Sequence, residues 1–234
     1  MSEALIAPTY SEAYELRRQF RQLYGAGAAL DYLFATVPPT GAQLEAWLAT
    51  DANLTAFQRT ISTQVGASTV CAGGAAVAAV VGSATALAYM RDSDTGRAAM
   101  LNAKTAMTAV LGSATACGAL LTSSAFRGAL YDNETAWALW VASANGRNAL
   151  SAIAAEHANA TSTHVSPAGI GTGTRVMLVQ QKATGTTQTS YAGSNADTYT
   201  TSSLAYIDRY VRVPGLTHRS AGASSTSWIR YVIV

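Results

Sequence analysis

Residues 113–122 read Ser-Ala-Thr-Ala-Cys-Gly-Ala-Leu-Leu-Thr, and this ten-residue block carries the strongest structural signal in the chain. Ser113 is a favourable N-cap residue, because its hydroxyl can accept a hydrogen bond from an amide of the first helical turn. Cys117, Leu120 and Leu121 follow at the spacing that forms one apolar helical face. The block therefore predicts two turns of helix that begin just after Ser113 and end in a sharp turn.

The same block recurs at ten-residue intervals. Most of the aligned first residues are good N-caps, with Ala103 as the exception: Ser83, Ser93, Ser113, Ser123, Asn133 and Ser143. The seventh residue after the cap is apolar in every block: Met90, Met100, Val110, Leu120, Leu130, Trp140 and Leu150. Weaker copies begin at Asn53, Thr63 and Gly73. We therefore expect residues 51–153 to form a shaft of short helical repeats.

A ten-residue period does not suit one continuous helix. Ten residues turn through about 1000°, so each copy would begin about 80° behind the previous one, and no face would stay apolar. The period also differs from the 7- and 11-residue repeats of coiled coils. Helices of two turns are unstable alone and must stack on neighbours, either within the chain or between chains. A β-solenoid is the alternative, but the alternation of its strands is absent.

The two flanks differ from the shaft. Residues 1–50 predict a helical attachment region, with helices from Ser11 to Gly25, from Ala28 to Thr36 and from near Thr40. This region either packs as a cap on the shaft or docks the chain on a larger assembly. In the second case the candidate attachment residues are those of the first helix: Tyr14, Arg17, Phe20 and Leu23.

The C-terminal part changes character. Residues 154–173 predict a linker, and residues 174–234 predict an antiparallel β-domain at the tip, because strand-like runs alternate with turns rich in Gly, Ser, Thr and Asn. The runs cover 174–181, 203–213 and 228–234. The whole chain is thus expected to be a multi-domain α+β protein with a helical N-terminal segment, a shaft of period ten and a β-rich tip.

Composition narrows the classes of function. Of the 234 residues, 49% are apolar and 12% are charged, and the net charge is +2, which excludes wholesale disorder and disfavours nucleic-acid binding. Cys71 and Cys117 lie in Ala-rich surroundings typical of buried free thiols. The three histidines, His157, His164 and His218, follow no metal-ligand spacing. We therefore expect no catalytic residue, no metal, no cofactor and no enzymatic activity.

Contact chemistry is concentrated in the β-domain. Tyr191 and Tyr199 flank a polar loop, and with nearby polar groups they form the candidate receptor contacts: Tyr191, Asn195, Asp197, Tyr199 and Arg219. The remaining large aromatic residues are expected in the core or in a subunit interface: Tyr206, Tyr210, Trp228 and Tyr231. A host surface glycan or protein would suit such a surface.

The uncharged stretch Val70–Met90 has the length of a membrane span. It is composed mainly of Ala, Gly, Val, Ser and Thr, and it lies in phase with the charged repeats that follow. We therefore expect no membrane span, although a membrane protein that uses residues 70–90 remains an alternative.

The run Ser113-Ala-Thr-Ala-Cys-Gly-Ala-Leu120 resembles repeats in fibre and other virion proteins of tailed bacteriophages. The segments 206–210 and 228–231 are similar to the terminal β-domain of such fibres. This resemblance implies a homotrimeric structural protein of the virion, made in the host cytoplasm. Its N-terminus would attach to other virion proteins, with a tail location favoured, and its tip would adhere to the host. The alternative is a head or collar fibre, or a capsid-surface protein, without receptor binding.

Overall fold

The computed structural model describes residues 39–160, 163, 165–171, 173–183, 185–191, 197–201, 207–220 and 226–234. Within these residues eleven helices precede seven strands, and the strands pair antiparallel, so the predicted α+β class is confirmed. The chain divides into two compact units, one ending at Leu139 and the other beginning at Trp140. The first two predicted N-terminal helices lie outside the described residues.

The helices are short and closely spaced. They are α1 (Gly41–Leu48), α2 (Asp51–Ile61), α3 (Gln64–Ala72), α4 (Gly74–Val81), α5 (Ala84–Asp92), α6 (Asp94–Asn102), α7 (Lys104–Leu111), α8 (Ala114–Leu121), α9 (Ser124–Asp132), α10 (Glu134–Ala142) and α11 (Ala144–Ile153). From α3 onward, each helix begins ten residues after the previous one. One or two residues separate neighbouring helices, so the chain turns a corner after about every second helical turn.

Side-chain caps mark these corners. Ser83, Ser93, Ser113, Ser123, Asn133 and Ser143 each accept a hydrogen bond from the backbone N–H three residues later, as predicted. Thr63 caps α3 in the same way, whereas Ala103 makes no side-chain cap. Thr40 and Gln43 form a capping box at the start of α1, which confirms the third predicted N-terminal helix.

One predicted repeat start is wrong. Asn53 lies inside α2, whose N-cap is Thr50, and its side chain is buried. The side-chain amide of Asn53 donates a hydrogen bond to the carbonyl of Trp47 at 2.8 Å, so its polar group is satisfied within the helix–helix contact. The helix starts three residues earlier than predicted because Thr50 is itself an acceptable N-cap and is followed by Asp51 in the first turn.

The helices of the first unit wind within a single chain. Helix α1 packs on α4, α2 on α5, α3 on α6, α4 on α7, α5 on α8, and α6 on α9. One turn of the winding therefore takes three helices, or about 30 residues. Polar groups also link successive turns: Asn133 Nδ2 donates to Asn102 Oδ1 at 2.9 Å, and Arg91 Nη1 donates to Thr122 Oγ1 at 2.9 Å. The helices stack on their own chain, which the sequence left open.

The apolar position of each block lies inside the helical layer. Met90, Met100, Val110, Leu120 and Leu130 have between 0% and 1% of their surface exposed. Burial of such side chains contributes about 1.5–3 kcal/mol each, which is enough to hold helices too short to be stable in isolation. Cys71 and Cys117 are buried and free, as expected.

The strands are β1 (Ala155–Asn159), β2 (Arg175–Ala183), β3 (Gly185–Tyr191), β4 (Asp197–Thr201), β5 (Ile207–Pro214), β6 (Leu216–Ser220) and β7 (Ser227–Ile233). They form a four-stranded sheet in the order β1-β7-β2-β5 and a three-stranded sheet in the order β4-β3-β6. Strand β1 falls in the range that the sequence assigns to a linker. It has no β-branched residue, and its pairing with β7 places it at the sheet edge.

The four-stranded sheet has a core on one face. This core contains Ile170, Val176, Leu178, Val213, Leu216, Ile229 and Tyr231. Helix α11 packs on β2 and β7, and the neighbouring β2 residues Met177 and Val179 are fully buried as well. Residues 140–234 therefore bury the central part of β2 on both faces, whereas the sheet beyond the last turn of α11 carries polar side chains.

Candidate functional site

The candidate site lies beside an irregularity in the pairing of the central strand β2. The pairing of β2 with β5 and with β7 shifts between Leu178 and Gln180. On β5, Arg209 and Tyr210 lie opposite the single residue Val179, which is the arrangement of a β-bulge. Tyr210 has φ of 43°, in the left-handed region that non-glycine residues rarely adopt. Such strain persists only where the surrounding structure holds it, and it often accompanies functional sites.

Beyond the bulge, one polar row crosses all four strands. The register pairs Glu156 with Arg230, Arg230 with Gln180, and Gln180 with Asp208. Arg230 Nη1 donates to Gln180 Oε1 at 3.0 Å, and Gln180 Nε2 donates to Asp208 Oδ1 at 2.9 Å. The amide of Gln180 therefore connects the guanidinium to the carboxylate and fixes the orientation of both groups.

The C-terminal turn of α11 fixes the row from one side. Arg230 Nη2 donates to the carbonyl of Ser151 at 2.7 Å, which satisfies one of the last carbonyls of that helix. The hydroxyl of Tyr210 lies 3.5 Å from Ser151 Oγ. The strained tyrosine and the arginine thus meet at the same serine. We call Ser151, Gln180, Asp208, Tyr210 and Arg230 the bulge cluster.

An aromatic residue lies next to the bulge cluster. Trp228 on β7 pairs with Lys182 on β2, two residues from the Arg230–Gln180 pair and therefore on the same face of the sheet. The ammonium of Lys182 lies 4.7 Å from the centroid of the Trp228 ring, which is a cation–π contact. Trp228 and Lys182 are half-buried, and Asp208 is exposed. This face thus offers an indole, two cations and two carboxylates within two rows.

Four of the five predicted receptor contacts lie on the other sheet. Asp197 pairs with Thr189 and Tyr199 pairs with Thr187 across β3 and β4, whereas Arg219 pairs with Gln188 across β3 and β6. Tyr191 ends β3 opposite Leu216. The backbone therefore brings these four residues to one three-stranded sheet. Arg219 lies opposite Gln188, one residue out of step with the β3 partners of Asp197 and Tyr199. Asn195 lies outside the described residues, as do the attachment candidates Tyr14, Arg17, Phe20 and Leu23.

The sequence interpretation did not find the bulge cluster. It assigned Tyr206, Tyr210, Trp228 and Tyr231 to a core or an interface. Tyr206 lies outside the described residues, and of the other three only Tyr231 is buried. Burial raises the pKa of the Tyr231 phenol above its ordinary value. The available signal was the polar pair Gln180-Gln181 directly after the apolar run 176–179. A bulge explains that pair, because it changes which residues of a strand point to each face.

The helical unit contains a smaller candidate, a cleft of about 220 Å³ lined by Leu87, Ala88, Arg91, Ala116 and Ala119 among others. The guanidinium of Arg91 is already engaged by Asp92, the Ala119 carbonyl and Thr122. This pairing raises the pKa of Arg91 and lowers that of Asp92. The cleft therefore presents small apolar side chains and a satisfied cation, and it carries less recognition chemistry than the sheet.

The described residues hold no group of three or more His, Cys, Asp or Glu side chains placed to bind a metal ion. Desolvation raises the pKa of the Cys71 thiol to about 12 and that of Cys117 to about 11. Both thiols are therefore protonated near neutral pH, when they are poor nucleophiles and poor metal ligands.

Comparisons with known proteins give no relative: the chain matches no protein-family model and no curated protein sequence. Across the part of the chain that the structure describes, no single helix has the length and hydropathy to cross a membrane. The pair Gln64–Ala72 and Gly74–Val81 passes that test only when joined, and it is bent by 97°.

Proposed function

We propose that this protein is a structural fibre protein of a bacteriophage virion, and that it is associated with the tail. In this proposal residues 1–50 attach to other virion proteins, the helical repeats serve as a spacer, and the β-rich part contacts the host surface. The winding of α1 to α9 carries the proposal, because each helix stacks on the third one after it. A structure of that kind lengthens by whole turns and suits a spacer.

In this proposal the spacer and the recognition surface are assigned from the side chains that each part of the chain exposes. Between positions 51 and 153 the exposed side chains are mainly small or hydroxylated, and the apolar positions are used in stacking. The sheet beyond α11 instead concentrates charged and aromatic groups on one face. Recognition is therefore proposed for the β-rich part, which retains the proposed tip role of residues 174–234.

The homotrimer remains part of the proposal, and its basis is the resemblance to phage fibres. Because the helices stack within one chain, the shaft does not need partner chains for its core. Trimer contacts are therefore proposed for other surfaces, and loss of the trimer is expected to leave the helical unit folded.

Light scattering of the full-length protein without detergent tests the assembly. The chain has a mass of 24.2 kDa, so a homotrimer has three times that mass, about 73 kDa. A stable trimer supports the fibre. A monomer at all concentrations contradicts the trimer and favours a subunit that assembles only on a particle.

Immunogold electron microscopy of virions produced by the organism that encodes the chain tests the location. Labelling of tail-associated fibres is expected. Labelling of the head or collar favours the alternative structural protein without receptor binding, and absence of labelling from the particles contradicts the virion role.

A further inference from the structure

Two neighbouring rows on one face of the four-stranded sheet have balanced charge. The rows that contain Arg230 and Trp228 hold two cationic side chains, Arg230 and Lys182, and two acidic ones, Glu156 and Asp208. Their formal charges sum to zero, and Arg212 and Arg175 lie on the same face beyond these rows. Within the two rows a phosphate-rich or carboxylate-rich ligand would meet as many like charges as opposite ones, so the rows complement a neutral ligand better than an anion.

The polar groups of this face are oriented before any ligand arrives. Gln180 holds Asp208 through Oδ1, and Arg230 holds Gln180, while α11 anchors Arg230 through the Ser151 carbonyl. The Asp208–Gln180 contact is the only hydrogen bond of that carboxylate within the described part of the chain. Its second oxygen is therefore available to accept a hydrogen bond from a ligand hydroxyl at little further loss of side-chain entropy.

The shape and composition of the face fit a chain of hydroxylated rings. The row from Glu156 to Asp208 crosses four strands, a distance of about 14 Å, and Trp228 lies about 7 Å along β7 from Arg230. The Lys182 ammonium lies over one face of the Trp228 indole, so the C–H face of a sugar would pack on the opposite face, and carboxylate and amide groups bind paired hydroxyls. Peptide ligands would instead pair with a free sheet edge or fill an apolar groove.

We propose that this face binds a neutral saccharide, with Asp208 and Gln180 as hydrogen-bonding residues and Trp228 as the packing surface. The strained Tyr210 has a positioning role, because the bulge places Asp208 opposite Gln180. The inference rests on the host-contact part of the proposed function. It places recognition on the four-stranded sheet, away from the contacts predicted from the sequence.

Saturation-transfer NMR and calorimetry on the full chain test the proposal with four hexasaccharide probes: maltohexaose, cellohexaose, mannohexaose and chitohexaose. Binding of at least one probe with a Kd of about 10 mM or tighter is expected. Asp208→Asn and Trp228→Ala should each weaken that binding about tenfold, since each removes one contact of about 1.4 kcal/mol. Hexagalacturonate, the anionic comparison, should bind more weakly than the best neutral probe.

Asp51→Asn is the matched control. Asp51 is exposed in the first turn of α2, and its substitution removes the same charge without touching the sheet. Binding should remain unchanged in this variant. Far-UV circular dichroism and the unfolding midpoint of Trp228→Ala, with Trp228→Phe as a milder variant, separate a lost contact from a damaged sheet.

Three outcomes overturn the saccharide site: no binding of any neutral probe at about 10 mM, binding that Asp208→Asn and both Trp228 variants leave intact, or stronger binding of hexagalacturonate. Adhesion to host cells that is abolished by protease treatment, together with no probe binding, points to a protein receptor and also overturns it. These failures are distinct from failure of the fibre role, because particle labelling and oligomeric mass do not depend on saccharide binding.

Discussion

At the scale of single residues, the corners between helices depend on glycine and arginine. A Cβ at Gly66 would lie 2.3 Å from the Thr60 carbonyl oxygen, and one at Gly146 would lie 2.2 Å from that of Trp140. Arg97, Arg127 and Arg147 occupy the fourth position after their caps, and each donates Nη1 to a carbonyl six residues earlier. Glycine, which has no side chain, therefore permits the helix to approach the end of the preceding helix closely. The arginine guanidinium then donates to a terminal carbonyl of that preceding helix.

The first prediction compares two glycines. Gly66→Ala should destabilise the helical unit by about 1–3 kcal/mol, because the new methyl group would collide with backbone that cannot move independently. Gly118→Ala is the matched control, since nothing lies within 4 Å of its Cβ position inside α8. That variant should be stabilising by about 0.5–1 kcal/mol through helix propensity. Urea unfolding measures both, and equal shifts would contradict the tight corner.

The second prediction concerns the corner arginines. Arg97 is only 8% exposed, and Nη1 donates to the Arg91 carbonyl at 2.7 Å. Arg97→Ala should lower the free energy of unfolding by about 2–4 kcal/mol, because it removes a charge-assisted hydrogen bond and buried side-chain volume. Arg97→Met, which copies the residue at the equivalent position 107, should cost about half as much because it keeps the packing.

Equilibrium urea unfolding of Arg97→Ala and Arg97→Met in parallel measures this difference. Equal losses of stability in the two variants would show that the polar contacts of the guanidinium, with the Arg91 carbonyl and with Asp94, account for the whole effect at the corner. No loss in either would show that the Arg91 carbonyl finds another donor.

At the scale of elements, the first turn of the winding is closed by a carboxylate. Glu45 of α1 accepts hydrogen bonds from the hydroxyls of Ser83 and Thr85 and, at 3.0 Å, from the Thr85 amide at the N-terminus of α5. A helix N-terminus favours a negative charge, so the contact joins α1 to α5 by both hydrogen bonding and electrostatics. Ser83, a repeat cap, thereby also links two turns.

The third prediction follows from the protonation of Glu45. The hydroxyls of Ser83 and Thr85 lower its pKa below the ordinary 4.5, so the contact contributes fully above that pH and is lost as the pH falls through the lower folded value. Glu45→Gln should therefore reduce stability at pH 7 and flatten the decrease in unfolding free energy below about pH 4.5.

Thermal unfolding of wild type and Glu45→Gln between about pH 7 and pH 3 checks this expectation. Asp92, whose pKa is also lowered, is present in both proteins, so the difference between the two curves isolates Glu45. Parallel curves of stability against pH for the two proteins would contradict a stabilising role of the Glu45 carboxylate.

At the scale of the whole molecule, the unit of construction is one turn of three helices. Contacts join each of the helices α1 to α6 to the third one after it, so a given corner meets the corner about 30 residues away. Stability in such arrays is approximately the sum of repeat and neighbour terms. Adding or removing repeats should therefore preserve the contacts between successive turns only when three repeats are changed together.

The fourth prediction tests that step with two deletions that share a junction residue. Removal of residues 93–122 joins Asp92 to the cap Ser123 and replaces α6 by α9 in the same position of the turn. The shortened protein should unfold cooperatively with a Tm within about 5 °C of wild type. Removal of residues 113–122 alone places α9 against a different neighbour and should lower the Tm by more than that.

Differential scanning calorimetry compares the two deletions. A smaller Tm loss for the ten-residue deletion than for the thirty-residue deletion would show that repeats are interchangeable within a turn. It would also show that the turn of three helices is not the unit of stability.

The local structure of this protein follows from short-range patterns in its sequence. Ser and Asn caps at ten-residue spacing fixed where helices begin, and the apolar seventh position identified the buried face, because capping and amphipathicity are properties of neighbouring residues. The strand-forming runs likewise gave β2, β5 and β7, since their β-branched and aromatic residues suit a sheet. The weak strand β1 escaped detection because its order comes from pairing with β7.

How these elements meet depends on long-range contacts in the folded chain. Which helix stacks on which depends on the angle at each corner, which short-range patterns do not encode, and the answer is the third helix along the same chain. The bulge cluster has the same origin: the hydrogen-bonded pairs among Ser151, Gln180, Asp208 and Arg230 are separated by 28 to 79 residues in the chain and converge through strand register and a bulge. Long-range pairing therefore created the candidate site, while local preferences created the elements that support it.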